Sequence, residues 1–378
     1  MNIAGVIFSV LLILLVLVDG FEAMILPRRV GRTFRFTMLL YRTMWPAWRA
    51  IARSIKAPKR RHTFLSIFGP YSLLVLFALW AVMLIIGFGC LNLALGTKLQ
   101  TPNGMAPDLF TYLYLSGVTF FTLGFGDIVP LNHLGRVVVV VESGIGFGFI
   151  AVVIGYMPVL YQAFSKREVS ISLLDARAGS PPTAAEILLR FARAKAMHRL
   201  DDFLIEWERW SAELLESTIS FPVLAYYRSQ HDNQSWLGAI TAVLDTCAIT
   251  MSAEDGSSNY QARVTFAAAR HAIVDICLIL GAPPVVSEED RLADLSCTRL
   301  MDSLAQAGVD IHPETGMAKL KKLRALYEPF LNSLAKRLLV TIPPIAHPEK
   351  ITDNWQSSAW TQKTSSLDKL AQENRHFD

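Results

Sequence analysis

The segment Pro107-Asp108-Leu109-Phe110-Thr111-Tyr112-Leu113-Tyr114-Leu115-Ser116-Gly117-Val118-Thr119-Phe120-Phe121 runs directly into Thr122-Leu123-Gly124-Phe125-Gly126-Asp127-Ile128-Val129-Pro130. Its first part is too apolar for a loop in water and too short to span a bilayer, which takes about 20 apolar residues. A re-entrant helix is the physical alternative. The irregular backbone after it is tolerated at membrane depth only if protein or a wet cavity surrounds it. Gly124 and Gly126 permit the backbone angles that turn successive carbonyls toward one axis.

Both flanks are membrane-like. Residues 67–95 form a 29-residue run without a charge, and residues 137–164 are apolar apart from Glu142. A third run, residues 3–18, extends toward Ile25 if Asp19 and Glu22 sit at the boundary. It lacks the basic start and small-residue cleavage site of a signal peptide, so a retained span is expected. The whole chain of 378 residues is 52% hydrophobic and 18% charged, below the roughly 25% charge of soluble domains. That excludes a disordered chain and argues against an ordinary soluble enzyme. Residues 1–164 hold 13 Lys/Arg against 5 Asp/Glu, and residues 165–378 hold 23 against 27. A basic membrane domain therefore precedes a mildly acidic, normally composed one.

Residues 28–61 contain 11 basic and no acidic side chains, whereas residues 96–135 carry as bases only Lys98, apart from His133. Positive charge stays on the cytoplasmic side. The N-terminus and the connector are thus expected outside, with residues 28–61 and the C-terminal half in the cytoplasm. Arg28, Arg32, Arg35, Arg42, Arg49, Arg53 and Lys56 share one helical face, interleaved with Trp45 and Trp48. This predicts a basic interfacial helix over 26–63 that presents Arg35, Arg42, Arg49 and Arg53 to anionic lipid, started by Pro27 and kinked or divided by Pro46. The spacing of Arg29, Arg32 and Arg35 is not a voltage sensor, because those arginines lie outside an apolar span. The small net charge of +4 reflects this lipid-facing segment and implies no nucleic-acid partner.

Thr122-Leu123-Gly124-Phe125-Gly126-Asp127 resembles the selectivity filter of potassium channels, whose usual form is Thr-Val/Ile-Gly-Tyr/Phe-Gly-Asp. Gly135-Arg136 follows Asp127 at the spacing seen in simple two-span potassium channels, and Tyr114, Ser116 and Thr119 fit the family's pore helix. The resemblance covers residues 67–164. It implies that the carbonyls of Thr122, Leu123, Gly124 and Phe125, with the Thr122 hydroxyl, replace the hydration shell of K+. One loop supplies a quarter of such a cage, so a homotetramer is implied. Gly126, Asp127, Thr119 and Glu142 would support the filter, and Gly146 falls at the family's hinge glycine. Phe121 departs from the usual second threonine, Leu123 replaces Val or Ile, and Phe125 replaces Tyr.

These readings combine into an all-α membrane protein of the bacterial inner membrane. Its parts are an N-terminal helix (1–25), the interfacial helix (26–63) and a pore domain (64–164). Within the pore domain the expected elements are an outer helix 67–95, a pore helix 108–121, a filter 122–127 and an inner helix 136–164. A helical cytoplasmic domain (165–340) and a polar tail (341–378) with Trp355 and Trp360 follow. Pro158 should bend the inner helix, while Ile150, Ile154 and Met157 are candidates for the cavity wall or gate. A non-selective cation pore and a non-conducting sensor are the alternatives. The glycines 144, 146 and 148 form no dinucleotide site, since no strand precedes them.

Beyond residue 164, a capping box at Thr183–Glu186 opens a helix, and further helices are expected over 200–228, 236–250, 258–280, 287–307 and 316–339. No Rossmann-type ligand fingerprint, catalytic constellation or cofactor motif is present. Cys90, Cys247, Cys277 and Cys297 have no zinc or disulfide spacing and read as reduced core thiols. His271 and Asp275, four apart, read as a satisfied pair rather than a metal site. The aromatic run 221–231 reads as packing. The ligand or protein partner of this domain is not legible.

Overall fold

The structure is a computed structural model and describes residues 2–26, 35–104, 106–230, 233–253, 259–287, 290–292, 300, 302, 304–305 and 315–346. It divides into two units, residues 1–162 and 163–378.

The first unit contains α1 (Ile3–Met24), α2 (Phe36–Ser54), α3 (Pro58–Leu95), α4 (Leu109–Phe120) and the start of α5 (His133–Ala178). Helices α1, α3 and α5 are long and apolar enough to cross a membrane. The Asn2 side chain caps α1 by accepting from Gly5 N, and Asn2 N donates to Ala94 O at 2.7 Å. The start of α1 therefore lies beside the end of α3, and the two run antiparallel. Gly87 makes close packing possible, because a Cβ there would sit 2.7 Å from the Ile13 side chain. A two-residue ribbon, β1 (Leu99–Gln100) against β2 (Val129–Pro130), ties together the two ends of the connector around α4.

Several elements differ from expectation. Of the two outcomes expected at Pro46, a kink or a division, the division does not occur, and α2 continues through it. The neighbouring tryptophans offset the lost hydrogen bond: Trp48 stacks on Phe64 at 4.4 Å, Trp45 meets Phe68 edge-on at 4.7 Å, and Trp48 Nε1 donates to Phe64 O. Each such pair adds about 1 kcal/mol beyond its buried area. The interfacial helix also ends earlier than residue 63, since Pro58 takes the first turn of α3 and residues 58–63 belong to that helix. The inner helix extends past residue 164 to Ala178, through Pro158. Arg28, Arg29, Arg32 and Pro27 lie outside the described residues.

Arg35 does not face lipid. Its guanidinium lies 3.8 Å from Asp19 and 3.5 Å from Glu22, and its side chain is largely buried. Asp19, fully buried, also accepts from Thr37 N (3.1 Å), Thr37 Oγ1 (2.8 Å) and Trp80 Nε1 (2.9 Å). One carboxylate thus pins α1, α2 and α3 together. A buried ion needs this many partners, because leaving it unpaired costs several kcal/mol.

The second unit contains the end of α5 and helices α6 (Ala184–Arg193), α7 (Leu200–Ser220), α8 (Trp236–Ser252), α9 (Asn259–Leu280), α10 (Thr315–Ala325) and α11 (Glu328–Leu338). Apolar nearly all round, α8 is buried along nearly its whole length and forms the centre of this unit. The expected helix 200–228 stops at Ser220, where Pro222 starts a short 3-10 turn over Pro222–Tyr226. The expected helix 316–339 is two helices, restarted by Pro329. Most of the expected helix 287–307, together with Cys297, His231, Trp355 and Trp360, lies outside the described residues. At the N-terminus of α6, Thr183 caps through Glu186 N, while the Glu186 carboxylate pairs with Arg190 at 2.8 Å.

A polar network lies within this unit. Arg291 binds Asp245 through both terminal nitrogens (2.8 and 3.0 Å) and Glu328 at 2.9 Å, while Tyr327 donates to Asp245 at 2.5 Å. Burial, followed by the Asp245 charge, pushes the Tyr327 hydroxyl well above its ordinary range and keeps it a donor. Burial likewise pushes the Cys277 thiol up to about 12. His271 pairs with Asp275 at 3.6 Å, and no cluster of three metal-ligating side chains exists among the described residues.

Replacing Asp19 by Ala removes three accepted hydrogen bonds and one of the two carboxylates beside Arg35, and should cost about 3 kcal/mol. Trp80→Phe removes one hydrogen bond and should cost about 1 kcal/mol. Thermal unfolding of both variants in detergent should keep that order.

Candidate functional site

The site is built from the re-entrant helix α4 outward. Asp108 starts it with a reciprocal capping box, accepting from Thr111 N at 2.9 Å while Asp108 N donates to Thr111 Oγ1. The helix is sheathed on one side by α3. Tyr112 Oη donates to Thr97 O at 2.8 Å, and Gly89 admits Leu113, whose side chain a Cβ there would meet at 2.8 Å.

At its other end α4 stops at Phe120, two residues before Thr122. A helix that ends in an apolar layer needs partners for its last carbonyls. The chain supplies them by folding back. Phe121 N donates to Gly117 O (3.1 Å), Thr122 N to Thr119 O (3.0 Å) and Leu123 N to Val118 O (2.8 Å). Buried Thr119 thus supports the following loop through its carbonyl.

Thr122, Gly124 and Gly126 have φ of 57°, 59° and 78°, whereas Leu123 and Phe125 do not enter that left-handed region. Alternation of backbone hand turns successive peptide planes alike, which is the condition for a row of carbonyls along one side. Two of the three left-handed positions are glycines. The third, Thr122, is β-branched, and its strained angle is held by the capping bonds on either side. Leu123 and Phe125 are 56% and 66% exposed on the single chain, so this loop is not enclosed by its own subunit. Asp127 accepts from Tyr114 Oη at 2.9 Å, which ties the outer end of the loop to the middle of α4.

Behind α4 stands α5. Glu142 is fully buried and meets Ser116, whose Oγ also lies 2.8 Å from Ile85 O on α3. One turn further, Gly146 lies against the last residue of α4; a Cβ there would sit 2.1 Å from Phe120 O. Gly146 therefore acts in this structure as a close-packing residue. The expectation for Phe121 concerned packing behind the loop; its ring is 48% exposed and meets Phe120 edge-on at 5.3 Å. Ile150 is half-buried, Ile154 is 67% exposed, and Met157 and Pro158 continue the same helix. From the sequence, Glu142 is expected to be hydrogen-bonded near the re-entrant helix or protonated, and Ser116 to belong to that helix; the structure supplies Ser116 as the partner. Their meeting had no local signal, since the two residues stand 26 apart.

Residues 73–162 match the model of a family described as "Ion channel". This stretch is similar to that family. Over 183 residues the chain is also 28% identical to the uncharacterized membrane protein YdjJ of Bacillus subtilis (strain 168), a match covering 48% of this chain and 52% of that protein. The chain thus aligns with about half the length of this curated relative. No solved structure matches it. The matched stretch covers the loop, its helix and most of both flanking apolar helices.

Gly146→Ala forces α5 away from α4 and should destabilise the domain by about 2 kcal/mol, the cost of overpacking a tight contact. Gly20→Ala, where a Cβ would meet nothing within 4 Å, serves as the control. Thermal unfolding in detergent should separate the two variants.

Proposed function

We propose that this protein is a potassium-selective channel in which four copies bring their 122–127 loops around one axis. The observation that supports this most is the alternating backbone hand at Thr122, Gly124 and Gly126, with Leu123 and Phe125 between them. Carbonyl oxygens of Thr122, Leu123, Gly124 and Phe125, and the Thr122 hydroxyl, replace the water shell of K+, which is the permeant substrate. Four loops give each ion a cage that no single chain can offer. The protein binds K+ weakly and at several sites, as conduction demands. The inner helices, carrying Gly146, Ile150, Ile154, Met157 and Pro158, form the cavity and gate.

The membrane orientation proposed from the charge bias puts the loop mouth outside and the second unit in the cytoplasm. Arg42 and Arg53, both exposed on α2, with Arg49 beside them, face anionic headgroups of the bacterial inner membrane, where each base near the surface contributes about 1 kcal/mol.

Purified protein in liposomes should pass K+ in strong preference to Na+; equal flux of the two would overturn the selectivity. Gly124→Ala places a Cβ at a left-handed position and should abolish the flux while the assembled oligomer still elutes as in the wild type. Neutralising Arg42, Arg49 and Arg53 together should change flux in vesicles containing anionic lipid and leave it unchanged in neutral ones.

A further inference from the structure

Among the described residues, Glu142 is the carboxyl side chain buried at the back of the re-entrant helix. Three elements converge there: α5 through Glu142, α4 through Ser116, and α3 through the carbonyl of Ile85. A serine hydroxyl has one hydrogen to give. The Ile85 carbonyl, 2.8 Å away, can only accept, and Glu142 stands against the same hydroxyl, so one Ser116 hydrogen cannot serve both as acceptors. A neutral carboxyl group satisfies both contacts, because Glu142 then donates to Ser116 while Ser116 donates to Ile85 O.

The surroundings agree. No Lys, Arg or His lies on α3 from Thr63 onward, on α4, on α1, or on α5 between Arg136 and Lys166. The other acidic or weakly acidic groups on those stretches are Asp19 and Glu22 of α1, Cys90, and Tyr71, Tyr112, Tyr114, Tyr156 and Tyr161. Asp19 is engaged by Thr37 and Trp80, Tyr112 by Thr97 O, and Tyr114 by Asp127. A buried carboxylate here would have no counter-ion on these helices, a costly state in an apolar layer. The second carboxyl oxygen, Oε2, is buried and has no hydrogen-bond partner, which a neutral carboxyl bears far better than an ion.

The pair also has a mechanical setting. Glu142 and Gly146 are four apart on α5, and Ser116 and Phe120 are four apart on α4, so the two contacts stack along one seam. The lower contact allows no slack, because even a Cβ at Gly146 would meet Phe120 O at 2.1 Å. The upper one is held by the carboxyl-to-hydroxyl bond. Phe120 leads through one residue into Thr122, so this seam sets where the 122–127 loop begins.

We propose that Glu142 is a positioning residue for ion conduction: its protonated carboxyl group donates to Ser116 Oγ, which donates to Ile85 O, and this chain locks the inner helix against the re-entrant helix behind the conducting loop. The proposal rests on the channel reading for its functional half alone. The proton can be tested whether or not the protein conducts.

The experiment uses the full chain in lipid vesicles at neutral pH. The infrared difference spectrum of wild type minus Glu142→Gln should contain the carbonyl stretch of a protonated carboxylic acid. Ser116→Ala should shift that band, as loss of its hydrogen-bond acceptor requires. A carboxylate signal in place of the acid band overturns the proposal, as does a band that Ser116→Ala leaves unmoved. In flux assays Glu142→Gln, which keeps a neutral donor, should retain the wild-type ratio of K+ to Na+ flux. Glu142→Leu, of similar size with no donor, should lower K+ flux by about tenfold, the weight of one buried hydrogen bond. Full flux through Glu142→Leu overturns the positioning role. If that variant fails to fold, Ser116→Ala takes its place with the same expectation. Absence of flux in the wild type would sink the channel reading and leave the infrared result standing on its own.

Discussion

The first unit is organised around a backbone problem: a helix that ends inside an apolar layer has carbonyls that water cannot reach. Helix α4 meets it by turning the chain back on itself, so that the N–H groups of Phe121, Thr122 and Leu123 cap Gly117, Thr119 and Val118. That return forces the left-handed angle of Thr122. Once Thr122 is left-handed, the glycines at 124 and 126 continue the alternation without steric cost. The loop is therefore the direct continuation of a capped helix end, and its shape depends on where that end is held.

Two carboxyl groups within the apolar unit are handled in opposite ways. Asp19 is surrounded by donors: a backbone N–H, a hydroxyl, an indole N–H and a nearby guanidinium. Those donors come from α2, α3 and the residue that precedes α2. Glu142 has a hydroxyl as its neighbour and no cation on the helices around it. The first arrangement fastens the basic helix to the outer span, and the second fastens the inner helix to the re-entrant one. Close backbone approach supplies the remaining attachment, at Gly87 against Ile13, Gly89 against Leu113 and Gly146 against Phe120. In lipid, where apolar contact carries no hydrophobic gain, small residues and buried hydrogen bonds are the available means of holding helices together.

The second unit is held by a buried apolar helix and by ion pairs. Its central helix is α8, and Asp245, Arg291, Glu328, Arg324 and Tyr327 form a polar network within the unit. Arg167, on the part of α5 that belongs to this unit, is buried and donates to the carbonyls of Leu224 and Tyr227 at 2.8 and 2.9 Å, with its guanidinium over the Phe164 ring. Burial lowers its pKa, opposed by the adjoining Glu168. The aromatic stretch after α7, which read as packing from its composition, is what receives this arginine.

Membrane character, the three spans, the re-entrant helix and the loop were determined by the sequence by itself. Hydropathy, length and glycine placement are local properties, and a bilayer converts them into structure with few alternatives. The helix breaks at Pro222 and Pro329 belong to the same class, although composition alone carried both segments past them. Tertiary structure alone decided the fate of Arg35, the continuity of α2 through Pro46, and the packing role of Gly146. Each depends on a partner far along the chain: Asp19 and Glu22, the aromatic rings of α3, and Phe120. The meeting of Ser116, Glu142 and Ile85 is of that kind too. A periodic pattern states which face of a helix is apolar, whereas only the packed helices state which atom on the next one a buried donor will find.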